Sequence, residues 1–236
     1  MWHILPIILI KKLENYFMKV LHPNLAKAFR TGVLVLIATA LMACQGETSA
    51  QTVDESKFTP VASAITVSTG DKIEVAELFW FGCGHCFALE PHVKKWKANM
   101  PANVTFVKVP AIFSKRWEFH GQAFYTMEAL AVPEKAYDKF FHSIHIKRNH
   151  INSIGALVAF LEPFGKSKED VEAAFGSFAV DSKMRNAKKI TIASGARGVP
   201  AIVVDGKYLT NQTLSGGTEK LFGVVDQLVA KAASER

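Results

Sequence analysis

The chain has 236 residues, of which 49% are hydrophobic and 21% are charged, which suits a globular domain with a sizeable core. Its formal net charge is +7, but residues 1–43 hold five of the basic residues and a single acidic one. The remainder has 23 basic and 20 acidic residues. This small excess of basic residues is too weak to indicate a nucleic-acid partner, and no cluster of basic and aromatic side chains is present.

Residues 1–43 have the pattern of an export signal. The run "TGVLVLIATALMA", Thr31–Ala43, is apolar, ends in small residues and follows the basic residues Lys27 and Arg30. It is too short to span a bilayer comfortably. We hypothesise that Met18 is the true translation start, because it gives a signal of ordinary length.

A cysteine follows the apolar run directly. The segment "LMAC", Leu41–Cys44, resembles the bacterial lipobox, in which the cysteine is lipidated and becomes the new N-terminus. Acylation of Cys44 would also mask a thiol that could attack a disulfide elsewhere in the protein. The alternative is ordinary signal cleavage, for example after Ala50. Residues 44–57 are polar and are predicted to form a flexible tether.

The first strong structural pattern is a strand, a helix and a second strand. The segment Lys72–Phe81 is rich in β-branched and aromatic residues and predicts a buried strand. Helical spacing follows from Cys83 to about Asn99, with Pro91 expected to kink the helix. The segment Asn103–Pro110 predicts another strand, and the three together indicate a βαβ unit.

Residues 112–195 contain amphipathic stretches and little strand pattern, so they predict a helical block. Within it, Ser167 is a predicted helix cap at capping-box spacing from Asp170, and Asp181 is a second predicted cap.

Strand signals return after the helical block. Two apolar runs flank Asp205-Gly206, a pair typical of hairpin turns, and a last helix is predicted from about Thr218 to Ala233. The strands on either side of the block are too few to form a stable sheet alone. We therefore predict an α/β domain made of residues 58–111 and 196–236, with residues 112–195 as a helical insertion.

The segment "CGHC" contains Cys83 and Cys86 and allows three interpretations. A structural disulfide would close a very small loop and restrict the unfolded chain little. A zinc site needs about four ligands, and beyond His85 and His92 no second paired-ligand motif is present, so no metal is predicted. Redox chemistry fits the context, because a cysteine at the N-terminus of a helix is stabilised as a thiolate.

The segment "FWFGCGHCFALEP", Phe79–Pro91, resembles the active site of the thioredoxin superfamily. The helical insertion narrows the resemblance to the DsbA family of exported thiol oxidoreductases, and "RGVPAIVVDGKYL", Arg197–Leu209, is similar to the family's second active-site segment. The resemblance implies an α/β thioredoxin-like fold with a helical insertion domain. It also implies a cis peptide bond between Val199 and Pro200.

The resemblance implies roles for several side chains. Cys83 and Cys86 would be the catalytic pair, and His85 would support the Cys83 thiolate. Many DsbA members have proline before this histidine, whereas this chain has Gly84, as eukaryotic protein disulfide isomerase does. The resemblance therefore implies the chemistry but not the strength of the protein as an oxidant.

Three charged residues are predicted to tune the cysteines. By the family pattern, Glu77, Glu90 and Lys108 would form a charged group beneath the active site. Ordinary surface charges are the alternative for Glu90 and Lys108. Four aromatic residues near the cysteines are interpreted as core residues: Phe79, Trp80, Phe81 and Phe87. The alternative for those closest to the cysteines is an apolar patch that binds unfolded clients.

The predicted function is donation of the Cys83–Cys86 disulfide to newly exported, reduced proteins in the periplasm, through a mixed disulfide. No cofactor is expected, because the two sulfurs carry the electrons. The resemblance alone implies reoxidation by a DsbB-type membrane oxidase. Two alternatives are an isomerase or reductase of the same compartment and a non-catalytic, chaperone-like binding lipoprotein.

Overall fold

The structure is a computed structural model that describes residues 53–236. The predicted signal, the proposed start at Met18 and the lipidation site Cys44 lie outside these residues. The predicted tether extends too far: Val53 is buried, and Asp54 caps a 3-10 turn at Glu55–Lys57 by accepting a hydrogen bond from the Ser56 amide. Ordered, packed structure therefore begins within the segment that its polar composition assigned to a tether.

Five strands and eight helices build the described chain. The strands are β1 (Thr59–Pro60), β2 (Ile73–Phe79), β3 (Val104–Pro110), β4 (Ala201–Val204) and β5 (Tyr208–Asn211). The helices are α1 (Gly84–Lys97), α2 (Lys115–Ala129), α3 (Glu134–His145), α4 (Ile154–Leu161), α5 (Lys168–Phe175), α6 (Phe178–Ser194), α7 (Gln212–Ser215) and α8 (Thr218–Ser234). No described helix is long and apolar enough to cross a membrane.

The strands form a mixed sheet in the order β1-β5-β4-β2-β3. β2 and β3 are parallel and are joined by α1, whereas β4 pairs antiparallel with β2 and with β5. β2 lies between β4 and β3, so it is paired on both edges, and all seven of its residues are buried. Helices α2–α6 lie in the chain between β3 and β4, so the sheet is assembled from segments on both sides of this helical block.

The sheet has a hydrophobic cluster on each side. One side packs β2 residues such as Leu78 and Phe79 against the helical block. The other packs Val75 against α1 and α8, with Leu89 and Leu228 fully buried. The successive residues Val75 and Ala76 contribute to opposite clusters, as the two-residue period of a strand requires. By contrast, Leu78 and Phe79 at the end of β2 both belong to the cluster that faces the helical block.

Several local predictions can be compared with the structure. Ser167 caps α5 by accepting a hydrogen bond from the Asp170 amide, as predicted. The prediction that Asp181 is a cap is wrong, because Ser177 caps α6 and the helix begins four residues earlier than the sequence suggested. α1 continues through Pro91, whose missing N–H leaves the Phe87 carbonyl without its intrahelical donor.

Candidate active site

A short loop connects the end of β2 to the start of α1 and places Cys83 at the helix N-terminus. The amide of Cys83 donates to the Trp80 carbonyl over 2.9 Å, which closes a turn. Cys83 is the N-cap of α1, with extended backbone, and its sulfur accepts a hydrogen bond from the Cys86 amide over 3.4 Å. The sulfur thus occupies the position in which a serine or aspartate oxygen usually caps a helix.

The surroundings of Cys83 favour its charged form. Hydrogen bonding from the Cys86 thiol, from the backbone amides of Cys86 and His85, and the charge of His85 lower the pKa of Cys83 to about 6, although partial burial opposes the shift. Cys83 is therefore largely a thiolate at neutral pH, and a thiolate is the nucleophilic form of cysteine.

Cys86 has the opposite properties. Its side chain is fully buried, and burial, together with the neighbouring Cys83, raises the pKa of Cys86 far above its ordinary value. Neither residue is in a disulfide in this structure. The pair is therefore asymmetric, with an accessible, activated sulfur on Cys83 and a buried, protonated one on Cys86.

A second segment, which follows the helical block in the chain, contacts Cys83. The thiol of Cys83 donates to the Val199 carbonyl over 3.4 Å, and the peptide bond between Val199 and Pro200 is cis, as the resemblance implied. Pro200 is buried, whereas Gly198 and Val199 are at least partly exposed. The backbone just before β4 therefore lies at the surface beside the reactive sulfur.

The three predicted charged residues do meet beneath the cysteines. Glu77 on β2 is in register with Lys108 on β3, and the Lys108 ammonium lies 3.5 Å from Glu77 Oε2. Lys108 also forms a hydrogen-bonded ion pair with Glu90 of α1. All three residues are thus brought together, as the family pattern predicted.

Glu77 is the unusual member of this group. It is fully buried, and neither carboxylate oxygen has a well-formed hydrogen bond, so the contact to Lys108 is an ion contact at a distance too long for good hydrogen-bond geometry. Burial raises the pKa of Glu77 to about 7, against the opposing charge of Lys108. Glu77 can therefore gain or lose a proton near neutral pH.

The aromatic residues near the cysteines divide into core and surface. Phe79 and Phe81 are each 1% exposed and belong to the core, so they form no client-binding patch. Trp80 and Phe87 are partly exposed beside the cysteines. Trp80 stacks on Trp117 of α2, with ring centroids 4.4 Å apart and planes 8° apart.

Sequence reasoning missed two residues of the helical block that contact the active-site loop. Trp117 supports Trp80, and His145, the last residue of α3, bonds through Nε2 to the Phe81 carbonyl over 2.8 Å. His145 lies 64 positions after Phe81, and no local pattern joins residues so far apart. Nothing in the local sequence distinguishes His145 from the other histidine of this amphipathic helix.

The fold and this site define a class of protein. It is a mixed α/β domain with an activated cysteine at the N-terminus of the helix that follows an interior strand, a buried partner cysteine and a backbone segment against the reactive sulfur. Among the described residues, no three His, Cys, Asp or Glu side chains are grouped as metal ligands. The two sulfurs of such a site are chemically suited to thiol–disulfide exchange.

Comparisons with known proteins agree with this class. The model of the DSBA-like thioredoxin domain matches residues 74–229. The thiol:disulfide interchange protein DsbA of Pseudomonas aeruginosa is 36% identical over 201 residues, which cover 84% of this chain and 95% of that protein. DsbA of Azotobacter vinelandii is 38% identical over 178 residues, which cover 75% of this chain and 83% of the relative.

The same relationship holds in three dimensions. The crystal structure of Pseudomonas aeruginosa DsbA matches with a TM-score of 0.71 and 37% identity, and the match covers 76% of this chain and 95% of that one. The chain belongs to the DSBA-like thioredoxin family. It is a thiol:disulfide oxidoreductase with a thioredoxin-like fold.

Proposed function

We propose that the chain oxidises newly exported proteins by donating its Cys83–Cys86 disulfide. A client thiolate attacks Cys83 sulfur, the bond between the two enzyme sulfurs breaks, and Cys86 leaves as a thiolate that takes up a proton. The second client thiolate then attacks the client sulfur of the mixed disulfide. The client leaves with its disulfide, and Cys83 is released as a thiolate, so that two electrons pass to the enzyme.

The asymmetry of the two cysteines is the observation that carries this proposal. Client thiols can reach partly exposed Cys83, whereas Cys86 is fully buried. The lowered pKa of Cys83 makes it a good leaving group in the second step. Because the stabilised thiolate exists only in the reduced enzyme, it favours reduction of the enzyme and oxidation of the client.

The supporting residues are assigned roles within this reaction. Glu77, with a pKa of about 7, supplies the proton that Cys86 takes up and is linked to the edge of the site through Lys108 and Glu90. His85 adds positive charge near Cys83 when it is protonated.

Backbone groups of the site are proposed to receive the client. Val199 and Pro200 offer backbone beside Cys83 to an extended client segment. Gly84 is exposed, and a Cβ placed there would meet nothing within 4 Å, so it leaves the approach to Cys83 open.

The compartment and the partners form a further part of the proposal. Residues 1–43 direct export to the periplasm, and Cys44 carries a lipid that anchors the protein to a membrane. A membrane oxidase of the DsbB type accepts the electrons and restores the disulfide. The periplasm is an oxidising compartment in which such disulfides form and persist.

Trapping of clients tests the proposal. Replacement of the buried thiol by Cys86→Ala leaves Cys83 free to form mixed disulfides that cannot be resolved from within the enzyme, so covalent client complexes should accumulate. The matched variant Cys83→Ala keeps a cysteine but removes the accessible sulfur, and it should trap none. A non-catalytic binding protein would give no reducible complexes with either variant.

A second function is favoured by one observation, the Gly84-His85 pair between the cysteines, which is typical of an isomerase. Equilibration with glutathione separates the two functions. A reduction potential near about −120 mV, the reference value for the strong oxidant DsbA, supports the oxidant, whereas one near about −180 mV, the value for protein disulfide isomerase, supports the isomerase. The redox state in cells should agree, since an oxidant is held mainly in its disulfide form.

A further inference from the structure

His145 lies in the helical block and yet bonds directly to the loop that carries the reactive cysteine. Its Nε2 is 2.8 Å from the carbonyl oxygen of Phe81, two residues before Cys83. Because a carbonyl oxygen only accepts, Nε2 carries the proton in this bond, which fixes the ring as the Nε2–H tautomer when it is neutral. Among the described residues, no backbone amide outside the helices and strands donates to this carbonyl.

The imidazole is also held in place by stacking. Its ring lies parallel to Phe87, with centroids 5.0 Å apart and planes 10° apart, and it stacks on Phe141 at 6.1 Å. Phe87 directly follows Cys86 in α1. His145 therefore contacts the chain on both sides of the cysteine pair, through a hydrogen bond before Cys83 and through a ring after Cys86.

Few other bonds hold the loop. The Cys83 amide bonds to the Trp80 carbonyl, while the Phe81 side chain is anchored in the core at 1% exposure. The sulfur of Cys83 then has to remain 3.4 Å from the Cys86 amide for the cap to stabilise its charge. Movement of the Phe81 carbonyl changes this geometry directly, because only Gly82 separates the two residues.

We propose that His145 is a positioning residue for the redox reaction: its bond to the Phe81 carbonyl holds Cys83 at the cap of α1 and so keeps the thiolate stabilised. It acts through the loop and touches neither sulfur nor client. The helical block thereby contributes to the redox properties of the cysteines as well as to packing. This inference rests on the proposed redox function of Cys83 and Cys86.

Two substitutions separate the hydrogen bond from the stacking. His145→Phe keeps a flat ring against Phe87 and removes the donor, so the loop should loosen and the thiolate should lose stabilisation. We expect the pKa of Cys83 to rise by about half a unit or more, which lowers the thiolate fraction about threefold in acid, and the reduction potential to fall. His145→Gln places an N–H at the depth of Nε2, and it should restore both quantities towards the parent values.

A matched control addresses docking of α3 in general. Lys97 of α1 and Glu134 of α3 form an ion pair at 2.9 Å, remote from the loop. Glu134→Gln removes the charge pairing between the same two helices at nearly constant volume. It should leave the Cys83 pKa and the reduction potential unchanged, whereas a purely structural role for His145 would make the two kinds of variant behave alike.

The measurements are thiolate absorbance against pH, equilibration with glutathione and thermal unfolding for each variant. The proposal would be overturned if folded His145→Phe kept the Cys83 pKa and the reduction potential of the parent protein. It would also be overturned if folded His145→Gln behaved like His145→Phe. The parent protein gives an independent test without any variant: nitrogen NMR of His145 should report the Nε2–H tautomer, and the Nδ1–H tautomer would overturn the proposal. Client trapping by Cys86→Ala would survive these failures, so they would not refute the proposed function.

Discussion

The backbone N–H of Cys86 donates to the sulfur of Cys83 over 3.4 Å, so one cysteine of the pair caps the helix that holds the other. The N-terminus of a helix carries partial positive charge from its free amides. In this protein that charge falls on a sulfur that titrates, which makes the cap a device for lowering a pKa.

The reactivity of Cys83 should therefore follow a titration near pH 6. Alkylation of Cys83 by iodoacetamide should rise with a midpoint near a pKa of about 6, and Cys86 should stay unlabelled in the folded protein because it is buried. Mass spectrometry of the labelled peptides assigns each site. A midpoint near about 8.5, the value of an ordinary cysteine, would contradict stabilisation by the cap.

Removal of the His85 charge should change the pKa and the potential together. In His85→Ala the pKa of Cys83 should rise and the reduction potential should fall, because less thiolate stabilisation favours the disulfide. The change should be modest, since the backbone amide of His85 and the contacts from Cys86 remain. Absorbance against pH and glutathione equilibration measure the two. A lower potential with an unchanged pKa would show that His85 acts in another way.

Glu77 should make stability depend on pH. Its pKa is raised to about 7 in the folded protein from 4.5, so the folded state binds more protons between these values and stability falls as pH rises through this window. Glu77→Gln should remove that slope and increase the unfolding free energy above pH 7 by roughly 1–3 kcal/mol. Urea unfolding at pH 5 and pH 8 measures it. Parallel pH dependence in variant and parent would contradict a raised pKa.

A side chain at Gly82 should destabilise the protein, whereas a side chain at nearby Gly84 should be tolerated. A Cβ on Gly82 would overlap the Trp80 ring, which stacks on Trp117. Gly82→Ala should cost about 1–3 kcal/mol by overpacking. Gly84→Ala is the matched control, since its Cβ meets nothing within 4 Å. Chemical unfolding compares them, and equal stability of the two variants would refute the close contact.

Cys44 should determine whether the protein stays with the membrane. If Cys44 is acylated, Cys44→Ala should convert a membrane-bound protein into a soluble or unprocessed one, because two or more lipid chains hold a protein firmly. Cell fractionation and metabolic labelling with a fatty acid test this. A parent protein found free in periplasmic extract would argue against the anchor, with Cys86→Ala as a control that leaves fractionation unchanged.

Local sequence patterns predicted the elements that carry the cysteines. β2 is a run rich in apolar and β-branched residues, α1 has helical spacing, and Cys83 lies at their junction. The boundary of α6 was misjudged because Ser177 and Asp181 are both good capping residues, and the structure uses the first. β1 has only two residues and exists through pairing with β5, so no pattern within it could have predicted a strand.

Contacts between residues far apart in the chain were harder to predict than the local elements. Glu77 and Lys108 are paired through strand register, and only the family pattern joined them beforehand. The contact of His145 with Phe81 depends on how α3 packs against the loop. Such packing is set by many core residues at once, and therefore a single sequence gave no means to predict it.

The active site is divided along the chain, since Cys83 and Val199 are 116 positions apart. Synthesis at about 5–20 residues per second presents the cysteine pair roughly 6–23 s before the segment that completes the site. During this interval β2 lacks its neighbour β4, and Cys83 lacks its contact with Val199. A growing chain is for those seconds an ordinary unfolded dithiol, the same kind of molecule that its finished copies are proposed to oxidise.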